Sequence, residues 1–247
     1  LPVQYVRFLK GALVGDFGTS YYYNEPAMSV VLERAPATLT LACAALLISV
    51  VLGIPAGIVA AVKRNSVSDA VIRVLALLGQ CMPAFWLGIM LIMLFAVKLG
   101  WMPTGGAEDG LRSLILPAFT LGVFSAATIC RLLRSNLIEV LGKEYIDVAK
   151  AKGLPKSKII GKHALKNAMS SIITILGMQF ASLLGGSVIT EQVFAWPGVG
   201  RLVIQSITTS DFAVVECIVF LMAVIFVVIN FIVDVLYCVI NPRVRLQ

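Results

Sequence analysis

Histidine occurs once in the 247 residues, at His163, and charged residues make up only 13%. One histidine leaves no multi-histidine metal site and no choice of Ser-His-Asp triads. The phosphate-cradling GxxxxGK[ST] pattern is missing, so ATP hydrolysis is not expected of this chain alone. Five cysteines are present, Cys43, Cys81, Cys130, Cys217 and Cys238, with no CxxC pair. That spacing argues against a disulfide framework or a metal cluster. All five fall in or beside apolar runs and read as small buried hydrophobes. Internal repeats and low-complexity tracts are lacking as well.

What is present is apolar. Hydrophobic residues are 59% of the chain and mean hydropathy is +0.95, whereas soluble domains average about 45–50% apolar and about 25% charged. Ala37–Val62, Val74–Val97, Ser113–Cys130, Asn167–Thr190 and Cys217–Val233 contain no charged residue. A span needs about 20 such residues. The predicted architecture is an all-α polytopic membrane domain over 1–247, with spans at 37–62, 74–97, 113–135, 164–190 and 212–240. Pro83 is expected to kink the second span. Gly177, Gly185 and Gly186 mark places where helices can approach closely.

The net charge of +7 does not point to nucleic acid, because the charges sit in short loops between apolar runs. It suits an anionic lipid surface. Fourteen of the twenty basic residues fall at 63–73, at 131–166 and at Arg243 and Arg245. With positive charge inside, this bias predicts an outside start, five crossings and a cytoplasmic C-terminus. Residues 1–36 read as an external segment. In it Val3, Val6, Leu9 and Leu13 recur at helical spacing, with Arg7 and Lys10 elsewhere on the wheel, as in an interfacial helix. Tyr21, Tyr22 and Tyr23 follow and read first as aromatic-belt residues, with a substrate or receptor contact as the second reading.

The most informative stretch is Glu144–Asn167, EYIDVAKAKGLPKSKIIGKHALKN, within a cytoplasmic loop at 141–163. With Lys143 it carries seven lysines, each costing about 2.5–3.5 kcal/mol at a bilayer centre. It must lie in water. Two helices are expected, the first with Tyr145, Val148 and Ala149 near one face. Gly153 suits the stop, since it takes positive φ without steric cost. Pro155 suits the first position of the second helix, which carries Ile159, Ile160 and His163 into the fourth span.

Asp147-Val148-Ala149, then Gly153 and His163, resemble the "EAA" coupling loop of ABC importer permeases. GDFGTS (15–20), RAPATLTLA (34–42), FWLGIMLIMLFA (85–96), RLLRSNLIEVL (131–141) and FAWPGVGR (194–201) are similar to the dipeptide, oligopeptide and nickel branch of that family. The resemblance covers essentially the whole chain. It implies the type I importer fold in a bacterial inner membrane, with a sixth span ahead of Leu1. It also implies a second homologous permease, two cytoplasmic ATPase subunits that hold ATP and Mg, and an extracytoplasmic binding protein. The chain itself is expected to be non-catalytic and to hold no cofactor or metal. Glu144, Tyr145, Asp147, Ala149, Ala151, Gly153, Leu154 and His163 become the expected ATPase-coupling residues.

Two alternatives stay open at this point. One is import of nickel or a metal chelate on the same architecture; the other is an ion-coupled secondary transporter. The uncharged cores disfavour the latter, because proton-coupled carriers keep ionisable groups within their spans. On the substrate side the candidates are Glu191, Phe194, Trp196, Pro197 and Gly198, in a polar loop at 191–211 that could fold back into the pathway. The acids there, Glu191, Asp211 and Glu216, would suit an amine or cation but read first as solvated loop charge. Arg131 and Arg134 either snorkel at the cytoplasmic edge or brace the coupling helices.

Overall fold

The computed structural model describes residues 2–240. The chain is almost entirely helical, and the one β-type pairing among the described residues is an isolated bridge between Thr19 and Pro26. The helices are α1 (Pro2–Leu13), α2 (Ala27–Val62), α3 (Val67–Cys81), α4 (Ala84–Leu91), α5 (Leu111–Leu141), α6 (Glu144–Ala151), α7 (Lys156–Lys158), α8 (Leu165–Gly186), α9 (Val188–Val193), α10 (Val199–Thr208) and α11 (Phe212–Ile240). Two π-helical stretches, Ile92–Lys98 and Ile159–Ala164, continue α4 and α7.

Among the described residues, three helices are long and apolar enough to cross a membrane: Ala27–Val62, Leu111–Leu141 and Phe212–Val233. The number rises to five if the pair Val67–Cys81 with Ala84–Lys98 and the pair Lys156–Met169 with Ile172–Gly185 each count as one. The second predicted span is therefore not one kinked helix but two. Pro83 disfavours an α conformation at the residue before it, and Met82 is extended, at φ −72° and ψ 129°. The external segment is also shorter than 1–36, because α2 starts ten residues ahead of the uncharged run. Pro36 removes only its own N–H from the ladder, and its carbonyl still accepts from the Thr40 hydroxyl. At 1.5 Å per residue α2 is about 54 Å long, against about 30 Å of hydrocarbon. Its first turns, with Glu33 and Arg34, extend beyond the lipid.

The chain divides into two compact units. The first holds the described residues of Leu1–Ala44, Ala84–Leu121 and Ala181–Ile229. Its core joins Ala12 and Phe17 to Val30, Val199, Leu202 and Val214. Val6, Leu9 and Leu13 of α1 stay exposed, which leaves an apolar strip free for an interface; the side chains of Val3 and Arg7 lie outside the described residues.

The second unit holds the described residues of Ala45–Pro83, Gly122–Phe180 and Asn230–Gln247. Small residues bring its helices together, as they must where lipid removes the hydrophobic drive for helix pairing. A Cβ on Gly53 would stand 2.8 Å from the Ala126 carbonyl oxygen, and one on Gly57 2.9 Å from that of Cys130. Gly177 likewise packs on Val233, whereas Gly185 faces open space; Gly186 ends α8, and what it packs against lies outside the described residues. Cys130 and Cys217 are buried, but Cys43 and Cys81 are exposed on their helices. The chain leaves those apolar faces to lipid or to another subunit. The side chain of Cys238 lies outside the described residues, as do Arg243 and Arg245.

Among the described residues of this unit, Asp69 is the buried acid. Arg134 of α5 reaches it twice, Nε to Oδ1 at 2.7 Å and Nη2 to Oδ2 at 2.8 Å. Arg73 adds a 3.4 Å contact, and the Asn65 N–H donates at 3.0 Å. Arg131 donates to Gln80 Oε1 at 2.6 Å. Both arginines therefore grip α3; neither braces the coupling helices nor simply snorkels. Asp69→Asn is expected to lower stability by about 2 kcal/mol, below the range for a fully buried pair because Arg134 keeps some contact with solvent. Arg134→Gln in the Asp69→Asn background should then cost almost nothing further, and additive losses in thermal unfolding would contradict the pairing.

Candidate functional site

The basic segment lies within the second unit. Lys143 is extended ahead of α6, and Glu144 and Asp147 occupy the first turn, where negative charge complements the helix dipole. Ile146 and Ala149 point inward, to the cluster that holds Leu133, Leu137 and Ile159. This corrects the expected face. Ala149 is only 8% exposed, while Val148 is 55% exposed and Tyr145 is exposed beside it. A short helix turns its buried face to whatever the neighbouring helices offer, and here that pocket accepts Ile146 and the small Ala149.

Glu144, Asp147, Ala151 and Gly153 are exposed, and Leu154 packs at the edge of the cluster. Lys150 pairs with Asp147 at 2.7 Å, an exposed ion pair of little stability value. Gly153 stops the helix at φ +71°, and its N–H donates to the Lys150 carbonyl. Pro155 lies one position earlier than expected, at the N-cap of α7. His163 is half-buried; its carbonyl accepts from Asn167, whose amide also donates to the Tyr145 hydroxyl at 2.8 Å. Asn167 thus ties α6 to α8, a role with no sequence signal of its own.

The other candidate region, in the first unit, is not a polar loop but two helices, α9 and α10, joined by Phe194–Gly198. Glu191 is 0% exposed. Its Oε1 accepts from the hydroxyls of Thr38 and Ser187, both at 2.8 Å, and its Oε2 from the Arg201 N–H at 3.0 Å. Thr38 Oγ1 accepts in turn from the Val199 N–H. The carboxylate therefore satisfies the start of α10 and pins it to α2.

Phe194 and Trp196 are buried too. The Trp196 indole donates to the Ala37 carbonyl at 2.9 Å, and Phe194 fills the space above Gly88. Glu191, Phe194 and Trp196 thus build the support of this region and offer no surface to a substrate. Asp211 is also buried, accepting from the Ser20 hydroxyl and the Tyr22 N–H. Burial pushes its carboxyl pKa up, but these hydrogen bonds outweigh that and hold it below the ordinary value. Of the three acids, only Glu216 is exposed.

Pro197 and Gly198 do reach a surface. They line a polar cavity of about 330 Å³ with Tyr22, Tyr23, Arg34, Arg201, Leu202 and Gln205. Ala195 holds φ +50° and presents its carbonyl to Arg201 Nη1 at 2.7 Å. A left-handed alanine costs about 1–2 kcal/mol. Ala195→Gly is therefore expected to raise stability by about 1 kcal/mol, and a lowered melting temperature would contradict that strain.

Long apolar helices joined by a short, basic helical pair are the build of a membrane permease. The chain belongs to the family of binding-protein-dependent transport system inner membrane components, matched over residues 53–246. It is a multi-pass inner-membrane protein and the permease component of an ABC importer. The glutathione transport system permease protein GsiC of Salmonella paratyphi A is 42% identical over 245 residues, 99% of this chain and 80% of that protein. GsiC of Escherichia coli K12 is 41% identical over 242 residues, 98% and 79%. Among solved structures, the inward-facing MetNI methionine ABC transporter matches with a TM-score of 0.74 at 19% identity, covering 87% of this chain and 97% of that one. An amino acid ABC transporter gives 0.64 at 18%, covering 87% and 94%. At such identities the likeness concerns the fold alone.

Proposed function

We propose that this permease forms half of the path by which a small peptide of the glutathione type enters the cytoplasm. A second, related permease supplies the other half. Two ATPase subunits, holding ATP and Mg, grip the 144–167 segment, and an extracytoplasmic binding protein delivers the substrate. The C-terminus is cytoplasmic, and the Phe194–Arg201 region faces out. Relatives that carry glutathione in their names, at 41–42% identity, favour such a peptide over nickel or a metal chelate.

One observation carries the coupling: α6 is anchored by Ile146 and Ala149 and tied to α8 through the Tyr145 hydroxyl, while Val148 and Ala151 face away from the chain. A helix rooted in the membrane unit with an unpartnered apolar ridge is suited to a groove on another protein. The test is reconstitution of the two permeases, the ATPase subunits and the binding protein in vesicles. ATP-dependent accumulation of glutathione is expected. Accumulation that continues with ATP exhausted and collapses with the proton gradient would overturn it.

A further inference from the structure

The sequence places acids at the substrate-side end, yet the charged side chains that line the cavity there are basic. Glu191 and Asp211 are buried and hydrogen-bonded within the first unit. The cavity of about 330 Å³ beside them is lined instead by Arg34 and Arg201, with Tyr22, Tyr23 and Gln205, and by no carboxylate. Neither arginine has an ion-pair partner among the described residues. The Nε of Arg34 is buried without a hydrogen-bond partner. Arg201 uses one Nη on the Ala195 carbonyl.

A buried guanidinium nitrogen without an acceptor is unfavourable, and the acceptor that best matches the guanidinium fork is a carboxylate. We infer that this cavity is an anion subsite, in which Arg34 and Arg201 receive the carboxylates of the peptide as it passes from the binding protein. The volume falls in the usual range for small-ligand pockets, and a concave site of that size fits a short peptide better than a protein surface. Two guanidinium groups on one cavity match a peptide with two carboxylates. Tyr22, Tyr23 and Gln205 are placed to bond its amides. The assignment rests on the peptide-import reading above and names the chemistry of its outer site.

The test uses the complete importer in vesicles, with glutathione and with the same peptide bearing an amide in place of its glycyl carboxylate. Both are supplied at concentrations that saturate the binding protein, whose own preference is then common to every permease variant. Wild type is expected to favour the carboxylate form. Arg34→Gln and Arg201→Gln should each reduce that preference roughly tenfold, the size of one charge-assisted hydrogen bond. Arg34→Lys and Arg201→Lys should restore part of it.

A wild type that carries both peptides equally overturns the subsite. So do variants that slow both peptides by the same factor, which is what a structural or binding-protein contact would give. A wild type that accumulates neither peptide under ATP removes the peptide-import reading itself, whereas accumulation with an unchanged preference removes the subsite alone.

Discussion

Glu191→Ala is expected to cost roughly 3–6 kcal/mol and to prevent recovery of a folded protein from the membrane. The change removes the acceptor for two hydroxyls and one backbone N–H at once, and each buried donor left unsatisfied costs about 1–3 kcal/mol. Two further variants make the test specific. Glu216→Ala removes an exposed acid of the same unit and should stay within about 0.5 kcal/mol of wild type. Gly198→Ala should approach the Glu191→Ala phenotype, because the new Cβ would meet Glu191 and the Thr38 hydroxyl near 2.5 Å. The yield of folded protein after purification, with thermal unfolding of each variant that is recovered, checks all three. Equal, small losses for Glu191→Ala and Glu216→Ala would contradict a buried hub.

Val148→Asp separates coupling from folding. Val148 is exposed on α6, so the new charge stays in water and stability should change by less than about 0.5 kcal/mol. Binding of the ATPase subunits is expected to weaken by roughly 30-fold, the effect of losing an interface hot spot worth about 2 kcal/mol. Ala149→Asp one residue on places a charge in the core beside Leu133 and Ile159. It is expected to unfold the segment, because an unpaired buried charge is far costlier than an exposed one. Co-purification together with a melting curve distinguishes the two. Intact ATPase binding by Val148→Asp would remove α6 from the coupling surface.

The helices were readable where one kind of residue settles the matter. Uncharged runs placed the apolar helices, and Gly153 marked a stop that only positive φ provides. Reading failed where the answer lay in another part of the chain. The face of α6 depends on what surrounds Leu133 and Leu137, so the larger Val148 points out and the smaller Ala149 in. Glu191 looked like a loop charge because its partners, Thr38 and the Arg201 N–H, meet it only after α2 and α10 pack. Asp69 finds Arg134 across 65 residues. Its one local hint is Ser66 three residues ahead, which accepts the Asp69 N–H in the pattern of a helix start. The start of α2 was misplaced for the opposite reason. Glu33 and Arg34 end the uncharged run, yet the helix continues through them to Ala27.

The π-helical stretch at Ile159–Ala164 sets a limit of another kind on this permease. It fits an additional residue between the α6–α7 pair and α8, and one residue of an α-helix is about 100° of rotation. Deleting a residue there would restore regular winding but swing Tyr145 and Val148 to a different bearing relative to the helix they feed. Inserting one would do the same in the other sense. Side chains of this segment can be exchanged without turning α6, but a change of its length turns the whole helix.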